Sequence, residues 1–102
     1  MANKSDLIVI ASAKAKPGKE KALEQALREV AKPTRAQLGS IAFSLYRSKE
    51  NPSLIIGFER WASKKEHEMH LHGAHVQKLM SAMADILDEP PQIVSYEIID
   101  EK

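Results

Sequence analysis

The 102-residue chain has no cysteine, which excludes disulfides, thiolate metal sites and cysteine nucleophiles and is in keeping with a reducing compartment. It has no charge excess either: 15 Lys+Arg stand against 14 Asp+Glu, interleaved along the chain. Nucleic-acid binding calls for a concentrated basic footprint, so no nucleic-acid partner is expected. No apolar run approaches the roughly 20 residues of a membrane span. The early run that ends at Ser12 is too short for a secretory segment, and no cleavage site follows it. The four glycines, Gly18, Gly39, Gly57 and Gly73, are too scattered to form a dinucleotide or flavin fingerprint. Internal repeats and low-complexity segments are also missing. These absences leave one cytoplasmic domain, residues 1–102, without a membrane partner. A chain of this size buries only about two thirds of its unfolded surface, so its core is limited.

What is present is concentrated. The sole Trp and all four His fall between Glu59 and His75. The candidate chemistry therefore reduces to Trp61, His67, His70, His72 and His75, with Glu59 at the head of the stretch.

Around it the hydrophobic pattern outlines a scaffold. Residues 7–13 are short and β-branched and run into Pro17-Gly18, which predicts a strand ended by a turn. Leu23, Ala26, Leu27, Val30 and Thr34 recur at three and four residues, with charge on the opposite arc, and predict an amphipathic helix. Pro33 should kink it or make its last turn irregular. Ile41, Phe43 and Leu45 alternate with Ala42, Ser44 and Tyr46 as in a strand, and after a turn at 49–53 the stretch 54–61 returns as a hairpin partner. Gly57, inside that strand, either weakens pairing or leaves room for something to approach the backbone. Ser63 and Glu66 have capping-box spacing for a second helix, which Gly73 should break. A stripe of Val76, Leu79, Met80, Met83, Ile86 and Leu87 follows, Pro90-Pro91 stops it, and residues 93–99 read as the last strand.

The order βαββαβ, with the second helix broken, predicts an α+β, ferredoxin-like antiparallel sheet with helices on one face. The strands carry large apolar residues on both faces, so a second copy of the chain is expected to cover the other one, as a homodimer.

The element order together with Glu59, Trp61, Ser63, His70 and His75 resembles the antibiotic biosynthesis monooxygenase family of dimeric α+β barrels, which includes quinol monooxygenases. The shared motif is a strand ending in Glu-x-Trp, a small polar residue two positions on, then a helix with one His and a second His five residues later. Pro17-Gly18-Lys19, and Gly39 with the strand through Tyr46, are similar to the family's pattern too. The chain departs from it at Gln37-Leu38-Gly39, where acidic residues commonly precede the glycine, and in the extra His67 and His72. The resemblance implies oxygenation by O2, without a cofactor, of an electron-rich aromatic such as a quinol or anthrone. It also implies a pocket between sheet and helices lined by Trp61, His70, Met80, Met83, Phe43 and Tyr46. The alternative is a non-catalytic small-molecule-binding or stress-associated dimeric barrel. Haem degradation on the same barrel uses an iron-binding His about one turn beyond His75, where this chain has Leu79 and Met80.

Each residue has a structural reading beside the functional one. Trp61 either caps the core or lines a pocket and donates its N–H to a substrate oxygen. Glu59 shares its face and is either held by a cation or backbone donor or, in a dry site, acts as a base. His70 either handles a substrate proton or bonds a backbone carbonyl. His75 either caps a turn or faces the pocket. The i,i+3 pairs His67/His70 and His72/His75 could each offer two metal ligands, yet they point in different directions and lack a recognised zinc pattern, so no metal is expected. His67 and His72 are taken as surface residues, and Met69, Met80 and Met83 as core filler.

Overall fold

The computed structural model describes residues 5–102 and contains seven elements. They are β1 (Leu7–Lys14), α1 (Glu20–Arg35), β2 (Ser40–Arg47), β3 (Leu54–Trp61), α2 (Lys64–Leu71), α3 (Ala74–Ile86) and β4 (Gln92–Tyr96). All pairings are antiparallel, in the order β2-β3-β1-β4. This is the ferredoxin-like α+β arrangement, with the second helical stretch broken at Gly73. No helix among the described residues is long and apolar enough to cross a membrane.

Cross-strand partners share a face of the sheet, so the register sorts the side chains. One face carries Val9, Ala13, Phe43, Ile55, Glu59 and Trp61, and α1 and α3 pack on it through Leu23, Leu27, Val30, Val76, Met83 and Ile86. The opposite face carries Ile8, Ile10, Ile56, Phe58, Val94, Tyr96 and Tyr46, with no element of the chain over it among the described residues. Tyr46 is 55% exposed there. It therefore does not join Phe43 in a pocket under the helices, a correction that follows from the odd spacing between the two residues.

α1 carries Pro33 in its last turn and ends two residues later at Arg35, a proline that late costing only one hydrogen bond. Two other expectations change. β4 ends at Tyr96 rather than Ile99, because Tyr96 pairs with Ile8 and the partner strand begins just one residue earlier. The chain beyond is held instead by Arg60, whose guanidinium donates to both carboxylate oxygens of Glu101 (2.6 and 3.0 Å) and to the buried Asp6 at 2.9 Å. Ser63 is the N-cap of α2, but its hydroxyl donates to the Glu66 carboxylate in place of the reciprocal backbone bonds of a capping box.

Gly39 joins the two halves. Its φ is +83°, and a Cβ there would overlap the Glu66 side chain, so glycine is the residue that fits. Its carbonyl accepts the Ala62 N–H at 2.8 Å, which seats the start of α2 against the end of α1.

Candidate functional site

The strand alternation of β3 sends Ile55, Gly57, Glu59 and Trp61 inward. Over the middle of the sheet the inward pair is Ala11 and Gly57, which offers almost no side-chain volume. The helices cannot collapse onto that spot, and a cavity of about 70 Å³ remains. Its walls are mostly aliphatic, from Leu27, Val30, Phe43, Leu45, Ile55, Leu71, Val76, Leu79, Met80 and Met83, and its main polar contributors are Glu59, His67 and His70. An open groove of about 330 Å³ lies elsewhere, beside α1 and β2. Its Arg28 and Arg47 are already paired with Glu24, and Tyr46 lies there.

Glu59 and Trp61 are coupled directly. The indole N–H donates to Glu59 Oε1 at 2.8 Å, so this donor is committed within the protein rather than to a substrate oxygen. Trp61 is completely buried and stands behind the cavity rather than in its wall, against the rings of His70 (centroids 4.7 Å apart) and His67 (5.9 Å). Burial raises the Glu59 carboxyl above the usual range, and the indole bond opposes this in part.

Residues on α2 and α1 complete the group. His67 and His70 are i,i+3 on the inward side of α2, each 5% exposed, while Met69 and His72 face outward. His67 is thus not a surface residue, contrary to the expectation from its polarity, because the sheet end and Trp61 roof the inner side of a very short helix. Met69 is not core filler, being 55% exposed, and Met80, 40% exposed, sits at the cavity rim. Met83 alone of the three is buried.

His70 Nδ1 lies 2.6 Å from Gln37 Oε1. An amide oxygen only accepts, so Nδ1 carries a proton and Nε2 of the neutral ring keeps its lone pair. Burial, then the neighbouring His67 and His75, push the His70 pKa down to about 4. The 4.0 Å approach of His70 Nε2 to Glu59 Oε1 is therefore a contact with a neutral imidazole, not an ion pair. His75 stands behind His70 with ring centres 5.7 Å apart, and its Nε2 is 3.3 Å from the hydroxyl of the fully buried Thr34. It is outside the cavity wall.

The structure thus brings together Glu59, His70, Phe43, Met80 and Met83 at the cavity, places Trp61 and His75 directly behind it, and leaves Tyr46 apart. Sequence reasoning missed Gln37, Thr34 and His67 as members of the group. The signal for Gln37 was present in the departure Gln37-Leu38-Gly39, since the residue two before the glycine is the one that meets His70. Among the described residues no group of three or more His, Asp or Glu is placed to hold a metal ion.

A ferredoxin-like sheet with an apolar cavity, a buried carboxyl and a neutral imidazole defines the class: a small α+β protein with a cavity between its sheet and helices. The chain belongs to the antibiotic biosynthesis monooxygenase family, whose pattern matches residues 6–82. Rv0793 of Mycobacterium tuberculosis, named provisionally as a monooxygenase, is 28% identical over 97 residues covering 95% of each chain. Its solved structure superposes with a TM-score of 0.89, covering 95% of this chain and 98% of that one. PA3566 of Pseudomonas aeruginosa matches with a TM-score of 0.88 at 25% identity, over 94% of this chain and 96% of that one. An uncharacterized protein of Synechocystis is 23% identical over 92 residues, 90% of this chain, and the matched part is 63% of that relative's length.

Proposed function

We propose that the protein is a monooxygenase that oxidises an electron-rich hydroxylated ring with O2 and needs no cofactor. The observation that carries this reading is the neutral imidazole of His70, its free lone pair on a cavity that is otherwise apolar. A substrate hydroxyl in the cavity gives its proton to His70 Nε2, and Gln37 fixes the tautomer that can receive it. The electron-rich anion passes one electron to O2, the two radicals combine to a peroxide anion at a ring carbon, and this takes the proton back from His70 to become a hydroperoxide. That intermediate loses water, its O–O and C–H bonds breaking, and leaves C=O. One oxygen atom stays in the product and the other leaves as water. The tasks of the chain are proton removal, orientation and exclusion of water.

The volume narrows the substrate. An engineered apolar cavity that binds benzene measures about 150 Å³, and this one is about 70 Å³. A single ring enters once the unbranched Met80 swings out from the rim. A three-ring anthrone exceeds this cavity by far more than a single ring does, so a monocyclic quinol is favoured. The uncovered sheet face, with Ile10, Phe58, Val94 and Tyr96, supports a homodimer in which a second copy covers it.

The test is oxygen uptake by the purified protein with a panel of hydroquinones and anthrones. Uptake with monocyclic quinols that His70→Ala lowers at least tenfold is the expected result. No protein-dependent uptake, with His70→Ala indistinguishable, would move the assignment to a non-catalytic binding protein, which the small cavity also suits. Light scattering should return the mass of a dimer.

A further inference from the structure

Of the three clustered histidines, two are supplied with partners from α1 and the turn after it: His75, behind the cavity, by Thr34, and His70 by Gln37. The third, His67, is not. Its Nε2 is buried and has no hydrogen-bond partner among the described residues. A buried polar atom left in this state is uncommon in native proteins. Such atoms are usually completed by a water or by a ligand.

The position of the ring points to a ligand. His67 belongs to the cavity wall, and together with Leu71 and Ile93 it also lines an outer groove formed by Leu7, Lys64, Glu68 and Ser95. It therefore stands between the cavity and that groove. The His67 and His70 rings are 6.1 Å apart, close to parallel at 27°. Two imidazoles that close on one wall can each hydrogen-bond a different oxygen of a small ring lying across them. Burial lowers the pKa of His67, so it meets a ligand as a neutral hydrogen-bonding group.

We propose that His67 is the second anchoring group of the site: its Nε2 hydrogen-bonds an oxygen substituent at the far end of the ring from the hydroxyl that meets His70. The site thereby selects single rings with two oxygen functions over rings with one. Rejection of a ligand lacking the second oxygen follows from the unpaired imidazole it would leave buried. The assignment rests on the reading of the cavity as a site for a hydroxylated ring.

Binding of hydroquinone and of phenol, measured under argon to prevent turnover, tests it. Trp61 is the only indole, and it packs against both His rings, so its fluorescence is the readout. The wild type should bind hydroquinone about tenfold tighter than phenol, the worth of one hydrogen bond of about 1.4 kcal/mol. His67→Phe should lose that preference and keep its phenol affinity. A preference retained in His67→Phe, or absent in the wild type, overturns the role of His67 and leaves the proposed monooxygenase intact. Failure of the wild type to bind either ring overturns both. Nitrogen NMR of the wild-type imidazoles covers the case in which His67→Phe does not fold. The His67 Nε2 resonance should shift with hydroquinone, and an unmoved resonance, with water only as its partner, overturns the proposal.

Discussion

The indole of Trp61 donates to the carboxylate of Glu59, two residues earlier on the same inward face of β3, at 2.8 Å. This bond is the only one found for the buried carboxyl among the described residues, and it makes the tryptophan a support for the site rather than a wall of it. Trp61→Phe keeps the ring packing and removes the donor. The expected loss is about 1–3 kcal/mol in urea unfolding, the cost of an unmet buried polar group. Adding Glu59→Gln should recover part of it. A Trp61→Phe protein as stable as the wild type would show that the bond carries no weight.

Gln37 sets the tautomer of His70. Gln37→Leu should therefore leave substrate affinity within about threefold and lower kcat by about tenfold or more, in the range of general-base effects. Gln37→Glu puts a negative charge against Nδ1 and should raise the His70 pKa from about 4, moving the acid limb of the pH–rate profile upward. A pH profile unchanged in both variants would place the proton transfer on another group.

His70 is held neutral in the fold, with a pKa of about 4, and about 6.5 unfolded. Between these values the unfolded chain binds the extra proton, so stability is full above about pH 6.5 and declines as the pH falls towards 4. After allowance for solvent screening the loss is about 2 kcal/mol. His67, also lowered, acts in the same direction. Glu59 acts in the opposite one: its raised pKa stabilises the fold in acid, and that contribution is lost as the pH rises through the folded value. His70→Gln should flatten the acid decline. Denaturant midpoints from pH 4 to 8 measure it, and an equally steep decline in the variant would contradict the assignment.

The cavity exists because Ala11 faces Gly57 across the sheet. A Cβ on Gly57 would meet only Leu45 Cδ2, at an ordinary 3.7 Å, so a side chain can start there and extend towards the cavity. Gly57→Val should fill the cavity, hold or raise the melting temperature, gaining about 0.5–1 kcal/mol from the removed glycine, and weaken ring binding at least tenfold. Retained binding in a well-folded Gly57→Val protein would move the ligand to another surface.

Much of the architecture was legible in the residues. The period of two in β3 placed Glu59 and Trp61 on one face, and the same rule applied to β2 separates Tyr46 from Phe43. The changes of period, Pro17-Gly18, and the break at Gly73 marked the element order, and the Glu-x-Trp and two-His spacing pointed to the family. The site was less legible. His67 was hidden because α2 has His, Glu and Lys on all sides and no apolar stripe to mark an inward face. Gln37 and Thr34 lie 33 and 41 positions from the histidines they meet, beyond the reach of any local pattern.

By itself, then, the sequence determined periodicity, turn chemistry and the absence of competing chemistries, because each is a property of neighbouring residues. Tertiary structure decided which polar atoms are buried and which are answered. The fold sets the Trp61 indole on Glu59 along β3, brings the turn after α1 against α2 so that His70 meets the Gln37 amide, and leaves Nε2 of His67 without a partner among the described residues. Hydrogen bonds between distant elements form only when burial removes the water that would otherwise serve each group.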